Sequence, residues 1–271
     1  GSDVVVATPG RLIDLGDRKE LFVDDVKVLV LDEADRMADL GFMPQVEWVM
    51  RRLPPKRQTL LYSATLDGAV DHLVRAYLSD PVLKEVKSPT ATVEEMEHRF
   101  LSVHQMDKVK VTSAITKGVY KTLIFCRTKR GADRLVLQLR KEGVKSAAIH
   151  GDLRQGARER ALKDFHEGHL PALVATDVAA RGLHIDAVDV VIHYDPPEDH
   201  KAYLHRSGRT ARAGETGVVV SLVLWNQMLD VEKIQKRIGL RLPIVEVFSN
   251  DARLGSLAEW KPDRQRASLS A

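Results

Sequence analysis

The chain has one cysteine, Cys126, in 271 residues. An internal disulfide is therefore excluded, and so is a zinc site built from several cysteines. Cys126 closes the apolar run Thr122-Leu123-Ile124-Phe125-Cys126, the setting of a buried structural thiol. Aromatic residues amount to 5%, and Trp48, Trp225 and Trp260 are scattered. No basic stretch is interleaved with aromatics, so a base-stacking platform is excluded. No apolar run reaches the roughly 20 residues that span a bilayer, and no charged segment followed by an apolar one opens the chain as a secretory signal would. These absences make a cytosolic (cytoplasmic) protein without membrane contact the default. His98, His104, His166, His169 and His200 show no metal-ligand spacing and read as solvated or capping side chains. The net charge is only +3, which permits a polyanionic partner without demanding one.

Hydrophobic residues at 44% and charged residues at 29% are a normal globular mix, enough for one large domain or two ordinary ones. Short β-branched runs alternate with helical patterns. Val4–Ala7, Val28–Leu31, Thr59–Tyr62, Leu123–Cys126, Leu173–Ala175, Val190–Ile192 and Val218–Leu224 read as strands covered on both faces, as in parallel sheets. Val46, Val49, Met50 and Leu53, and again Val70, Leu73, Val74 and Tyr77, recur at helical spacing. Gly143 and Gly168 follow two further helical patterns as C-cap residues. This alternation implies an α/β fold with crossover connections. A polar, proline-bearing stretch near Ser88–Glu95 reads as a linker. The expected organisation is a first domain over 1–87, a linker over 88–96, a second domain over 97–247 and a mobile tail over 248–271.

Two segments carry chemistry. In Val30-Leu31-Asp32-Glu33-Ala34-Asp35 a buried strand ends in three carboxylates within four residues. Ligands of open α/β sheets bind beyond the carboxyl ends of strands. Carboxylates there can hold magnesium on nucleotide phosphates and orient a water; an isolated triplet would equally suit a solvated loop. In His205-Arg206-Ser207-Gly208-Arg209-Thr210-Ala211-Arg212 three arginines and a histidine crowd together. Guanidinium forks match phosphate oxygens. If the segment is helical, Arg209 and Arg212 share a face; a basic surface helix is the plainer alternative.

Seven elements in order resemble the DEAD-box family of superfamily 2 RNA helicases, bacterial in type. Thr8-Pro9-Gly10-Arg11 is similar to the family's motif Ib. Asp32-Glu33-Ala34-Asp35 spells its name motif, and Ser63-Ala64-Thr65 is similar to motif III. Leu123–Thr128 is similar to motif IV, and His150-Gly151-Asp152 with Gln155-Gly156-Ala157-Arg158 to the Gln-x-x-Arg element. Ala175–Gly182 is similar to motif V, and the arginine cluster to motif VI. The resemblance implies two RecA-like domains, with mainly parallel sheets and helices on both faces, that clamp ATP and single-stranded RNA. Asp32 would interact with Mg2+ and Glu33 would polarise the attacking water. Asp35, Ser63, Thr65, Gly182 and His205 would couple nucleotide state to closure, and Arg209 and Arg212 would be fingers on the γ-phosphate. Thr8, Gly10, Arg11, Gly151, Gln155, Arg158 and Thr176 would touch the RNA backbone, which suits recognition without base readout. The implied activity is ATP-driven unwinding of short duplex RNA or remodelling of RNA–protein complexes, by a monomer.

Two features depart from that pattern. No Gly-Lys dipeptide occurs, so the loop that cradles β- and γ-phosphates is missing. Because the chain opens at motif Ib, the expectation is an incomplete first domain with an exposed sheet edge and apolar surface, and no ATP hydrolysis by the chain alone. His184 stands where the family usually has a ribose-holding aspartate; imidazole can still hydrogen-bond a hydroxyl. A nucleotide-independent module that binds RNA or a partner is the alternative reading. A DNA helicase is disfavoured by the spelling of motif VI, and a metal-dependent hydrolase by the lack of histidine ligands near Asp32.

Overall fold

The computed structural model of the chain describes residues 2–63, 65–66, 68–85, 96–180, 185, 188–210, 217–257 and 260. Contacts divide the chain into two units, Gly1–Val86 and Lys87–Ala271. Most of the expected linker, with the expected tail beyond 260, lies outside the described residues. No described helix is long and apolar enough to cross a membrane.

The first unit runs α1 (Pro9–Asp17), β1 (Val28–Leu31), α2 (Ala34–Asp39), α3 (Met43–Arg52), β2 (Gln58–Leu61) and α4 (Gly68–Tyr77). β1 and β2 pair in parallel from Val28↔Gln58 to Leu31↔Leu61, which requires a crossover; α2 and α3 supply it. Proline in the first turn of α1 and of α3 starts each helix where a missing N–H costs nothing. Leu31, Val46, Met50 and Leu73 form the core. Alternate side chains of β1 point the other way, and Val28 and Val30 stay 51% and 53% exposed, so the expected exposed apolar surface is present. The expected strand at Val4–Ala7 is not formed. Val4 and Val6 are 78% and 94% exposed, because β1 and β2 pair only with each other among the described residues. An apolar run becomes a strand only where a ladder partner lies beside it.

The second unit runs β3 (Glu97–Ser102), α5 (Lys108–Lys117), β4 (Thr122–Phe125), α6 (Lys129–Lys141), β5 (Ser146–Ile149), α7 (Gln155–His166), β6 (Ala172–Ala175), α8 (Asp177–Ala180), β7 (Val190–His193), α9 (His200–Ser207), β8 (Val218–Val223), α10 (Met228–Arg237) and β9 (Ile244–Glu246). The seven strands lie in the order β5-β6-β4-β7-β8-β3-β9, and every pairing is parallel. Successive strand residues face opposite sides. Ile124, Val174, Ile192 and Val220 pack under α5 and α6. Leu123, Phe125, Leu173 and Val191 pack under α7 and α8, and Phe100, Val219 and Val223 under α9 and α10. Helices therefore cover both faces, as expected. β3, β5 and β9 carry no strong strand signal in the sequence: β3 opens with Glu97-His98-Arg99, β5 is Ser-Ala-Ala-Ile, and β9 has three residues. Gly143 and Gly168 adopt φ of +83° and +78° one residue past the C-caps of α6 and α7, the left-handed geometry that ends helices.

The expectation of a mobile tail fails for 248–257. The Ser249 amide and hydroxyl donate to Asp107 at 2.6 and 2.7 Å. A 3₁₀ turn at Ala252–Gly255 then lays Leu254 and Leu257, 1% and 2% exposed, into the core beside Val111 and Ile115. At Gly118 a Cβ would stand 2.6 Å from the Gly255 carbonyl oxygen, so glycine there permits the close approach. Leu254→Ala should lower the stability of the second unit by about 2–4 kcal/mol, read as an earlier urea midpoint. An unchanged midpoint would restore the mobile tail.

Candidate functional site

In the first unit, β1 delivers Asp32, Glu33 and Asp35 to the carboxyl end of the two-stranded sheet. The Tyr62 amide donates to the Leu31 carbonyl at 2.8 Å and the Ala34 amide to the Tyr62 carbonyl at 3.0 Å. The Asp35 amide donates to Ser63 Oγ at 3.1 Å, and Ser63 Oγ donates to the Thr65 carbonyl at 2.5 Å. The acidic turn and the Ser63–Thr65 turn are thus one hydrogen-bonded body, with Asp35 buried and Asp32 and Glu33 exposed. Glu33 sits at φ 51°, ψ 49°, left-handed backbone that costs a non-glycine residue about 1–3 kcal/mol and clusters at functional sites. Asp32 Oδ1 accepts the Glu33 amide at 2.9 Å, and the Glu33 carboxylate pairs with Arg36. Thr8, Gly10 and Arg11 are exposed at the start of α1; the Arg11 amide donates to the Thr8 carbonyl at 3.0 Å, and its side chain pairs with Asp14.

In the second unit the loops after β4, β5, β6 and β7 share one edge. The Thr176 amide donates to the Ile149 carbonyl at 3.2 Å, bringing Thr176 beside the turn that holds His150 and Gly151. Gln155 and Arg158 occupy the first turn of α7; Arg158 donates to the Ala179 carbonyl at 3.1 Å and Gln155 to Glu159 at 2.9 Å. Gly151, Gln155, Arg158 and Thr176 are therefore gathered in one region. Thr176 is only 6% exposed, so its neighbours present most of the accessible surface. His150, buried, lies 2.9 Å from Asp133 through Nε2 and ties this turn to α6.

The arginine segment differs from the helical expectation. α9 ends at Ser207 with Gly208 as its cap, and Thr210 forms a parallel bridge with Val188. The bridge draws the chain away from the helix by Thr210, so Arg209 lies beyond the end of α9. His205 is exposed on the last turn and Arg209 is half-buried just beyond it. Arg212, Gly182 and His184 lie outside the described residues.

Arg206, within the cluster read as phosphate-seeking, is instead buried. Its Nε and a terminal nitrogen donate to the two Asp177 oxygens at 2.6 and 2.7 Å, and its other terminal nitrogen donates to the Asp195 carbonyl at 2.7 Å. Asp195 also accepts the Arg127 amide at 2.9 Å and lies 3.6 Å from Lys108 Nζ. Lys108 is 1% exposed, and burial pulls its ammonium pKa down against the pull of Asp195. Lys108, Asp195, Arg206 and Asp177 thus alternate in sign, which is how buried charge is tolerated. Nothing in the spacing of Lys108 or Asp195 marks them; Asp177 and Arg206 were visible only as parts of motifs.

His98 departs from the solvated role expected of it. It is 3% exposed and lies 2.7 Å from the Tyr203 hydroxyl through Nδ1. Beside it His193, fully buried, lies 3.2 Å from Ser221 Oγ, and Tyr203 stands edge-on at 4.8 Å between ring centroids. His169 stays exposed, as expected, beside Asp164 and Glu167, whose ligand atoms and its own lie within 4.8 Å of one another; Glu167 pairs with His169. Cys126 is 1% exposed as expected, and burial holds its thiol pKa far above the ordinary value.

Burial first, then Arg206 and His98, depress the His193 pKa well below 6.5. Above pH 6.5 the ring is neutral folded or unfolded. Below it the unfolded chain takes up a proton that the folded site refuses, so stability falls on acidification, by at most about 1.4 kcal/mol per pH unit from one site. Urea unfolding of His193→Gln should show a shallower loss between pH 6.5 and 5 than the wild type; identical slopes would remove His193 as the source.

Residues 1–73 match the family model described as DEAD/DEAH box helicase, and residues 106–214 that described as Helicase conserved C-terminal domain. The chain is similar to the ATP-dependent RNA helicase RhlB of Pseudomonas syringae pv. tomato, 39% identical over 244 residues that make up 89% of this chain and 62% of that protein. It is similar to the DEAD-box ATP-dependent RNA helicase 9 of Oryza sativa subsp. japonica, 39% identical over 263 residues, 94% of this chain and 42% of that protein. Among solved structures it superposes on S. cerevisiae Dbp5 bound to RNA and ADP BeF3, with a TM-score of 0.77, 32% identity, and coverage of 93% of this chain and 67% of that one.

Proposed function

The chain belongs to the DEAD-box family of RNA helicases, and from that membership we propose that it forms part of an ATP-dependent helicase that separates short RNA duplexes or remodels RNA–protein complexes. The observation that carries this reading is the hydrogen bond from the Asp35 amide to Ser63 Oγ. It locks the acidic turn onto the Ser63–Thr65 turn and leaves Asp32 and Glu33 exposed at a strand's carboxyl end, where α/β sheets hold their ligands.

Asp32 offers hard carboxylate oxygen in an exposed position, which fits Mg2+; bound there, the ion would neutralise charge on the phosphates of ATP. Glu33, held in left-handed backbone, orients the attacking water. Asp35, Ser63, Thr65, Gly182 and His205 transmit nucleotide state, and Arg209 with Arg212 answers the γ-phosphate. RNA lies along Thr8, Gly10 and Arg11 on the first unit and Gly151, Gln155, Arg158 and Thr176 on the second. Backbone amides, hydroxyls and guanidinium groups read phosphate without sequence. The protein acts as a monomer in the cytoplasm, without processive translocation. Its 271 residues contain no Gly-Lys phosphate loop, and ATP turnover therefore needs residues beyond these. A module that binds RNA or a partner without nucleotide is the second reading.

RNA-stimulated ATP turnover and single-strand RNA binding, measured on this chain, separate these readings. Expected are no turnover and salt-sensitive binding, with Arg158→Ala reducing the slope of log affinity against log salt by about 0.7. Turnover that vanishes in Arg209→Ala would overturn the need for further residues. Absence of RNA binding at low salt would sink the helicase reading and the RNA-binding form of the second.

A further inference from the structure

Arg206 is the arginine of its segment that neither the RNA nor the nucleotide role uses. It is 4% exposed, and its bonds run inward: two to Asp177, one to the Asp195 carbonyl, with its guanidinium carbon 5.2 Å from the Phe125 ring centroid. Asp177 directly follows Thr176, whose carbonyl accepts the Ala179 and Ala180 amides at 3.0 Å each, so the Asp177 carboxylate and the Thr176 turn move as one. On the other side, the Arg206 carbonyl accepts the Arg209 amide at 3.3 Å, and the Arg209 carbonyl accepts the Val188 amide at 3.4 Å. Thr210 Oγ1 closes the turn by donating to the Val188 carbonyl at 2.6 Å. One guanidinium therefore joins two turns that are 29 residues apart along the chain at its Asp177 contact.

We propose that Arg206 is a positioning residue: by clamping Asp177 it couples the RNA-contacting turn at Thr176 to the phosphate-reading turn at Arg209. The proposal rests on the helicase reading above. It requires the planar fork, since lysine retains the charge but cannot hold both Asp177 oxygens and the Asp195 carbonyl in fixed directions. It also requires the carboxylate, since asparagine keeps the shape of Asp177 but offers one acceptor oxygen and no charge. Because the clamp is bidentate and its guanidinium is buried, displacement of Asp177 is transmitted to α9 rather than absorbed by side-chain rotation.

The test is a titration of the full chain with a short single-stranded oligouridine, followed through backbone amide resonances. In the wild type, shifts are expected at Gly151 and Gln155, where RNA touches, and at Val188, Arg209 and Thr210, where the clamp relays it. In Arg206→Lys and in Asp177→Asn the direct shifts should remain and the relayed shifts should be lost. A residue of purely structural importance would not divide the two sets in this way. Should Arg206→Lys fail to fold, Asp177→Asn decides alone, its amide dispersion reporting the fold. Relayed shifts that persist in a folded, RNA-binding variant overturn the proposal while leaving the helicase reading intact, as does a wild type with direct shifts only. A wild type with no RNA-induced shift in the second unit overturns the RNA reading and this proposal with it.

Discussion

All seven described strands of the second unit run in one direction, and that constraint determines where its chemistry can be. Parallel neighbours cannot be joined by tight turns, so each connection crosses over through a helix and returns to the same starting edge. The opposite edge collects the loops after β4, β5, β6 and β7, which bring Thr128, Gly151, Thr176 and Asp195 to one side. The first unit repeats the arrangement with two strands. The end of β1 carries Asp32 and the end of β2 leads to Ser63, and pairing between the strands is what lets the Asp35 amide reach Ser63 Oγ.

Placing ionisable groups at the ends of fully buried strands has an energetic cost, met in the second unit in two ways. Where charge is kept, it is paired: Arg206 against Asp177, Lys108 beside Asp195, with the remaining donors directed at carbonyls. An isolated buried ion would cost several kcal/mol, and alternation of sign avoids leaving one. Where pairing is not offered, the group stays neutral, as His193 does between Ser221 and Tyr203. The same desolvation that disfavours these ions strengthens the hydrogen bonds among them.

Much of this was legible along the chain because the strongest signals are local. β4, β6, β7 and β8 are near-continuous apolar runs, as strands covered on both faces must be, and motif residues lie directly after β4 and β6. Other features depend on neighbours far away in sequence. β5 and β3 are strands because β6 and β8 lie beside them, not because Ser146-Ala147-Ala148 or Glu97-His98-Arg99 favour extension. Val4–Ala7 has the composition of a strand without the partner. His98 looks like any surface histidine until Tyr203, 105 positions away, is folded over it, and 248–257 looks like a tail until Asp107 and α5 receive it.

The α/β class and the strands β1, β2, β4, β6, β7 and β8 follow from the chain alone, since hydrophobic period and motif spacing are properties of contiguous chain. Which charges are spent inside the protein was decided by the tertiary structure. Arg206 and Arg209 are the same residue type three positions apart, and no local rule separates them. The first is buried because Asp177 and the Asp195 carbonyl meet it at a strand edge; the second lies beyond the end of α9 because Thr210 bridges to Val188. Burial is a relation between distant segments, so it is settled only when the sheet brings them together.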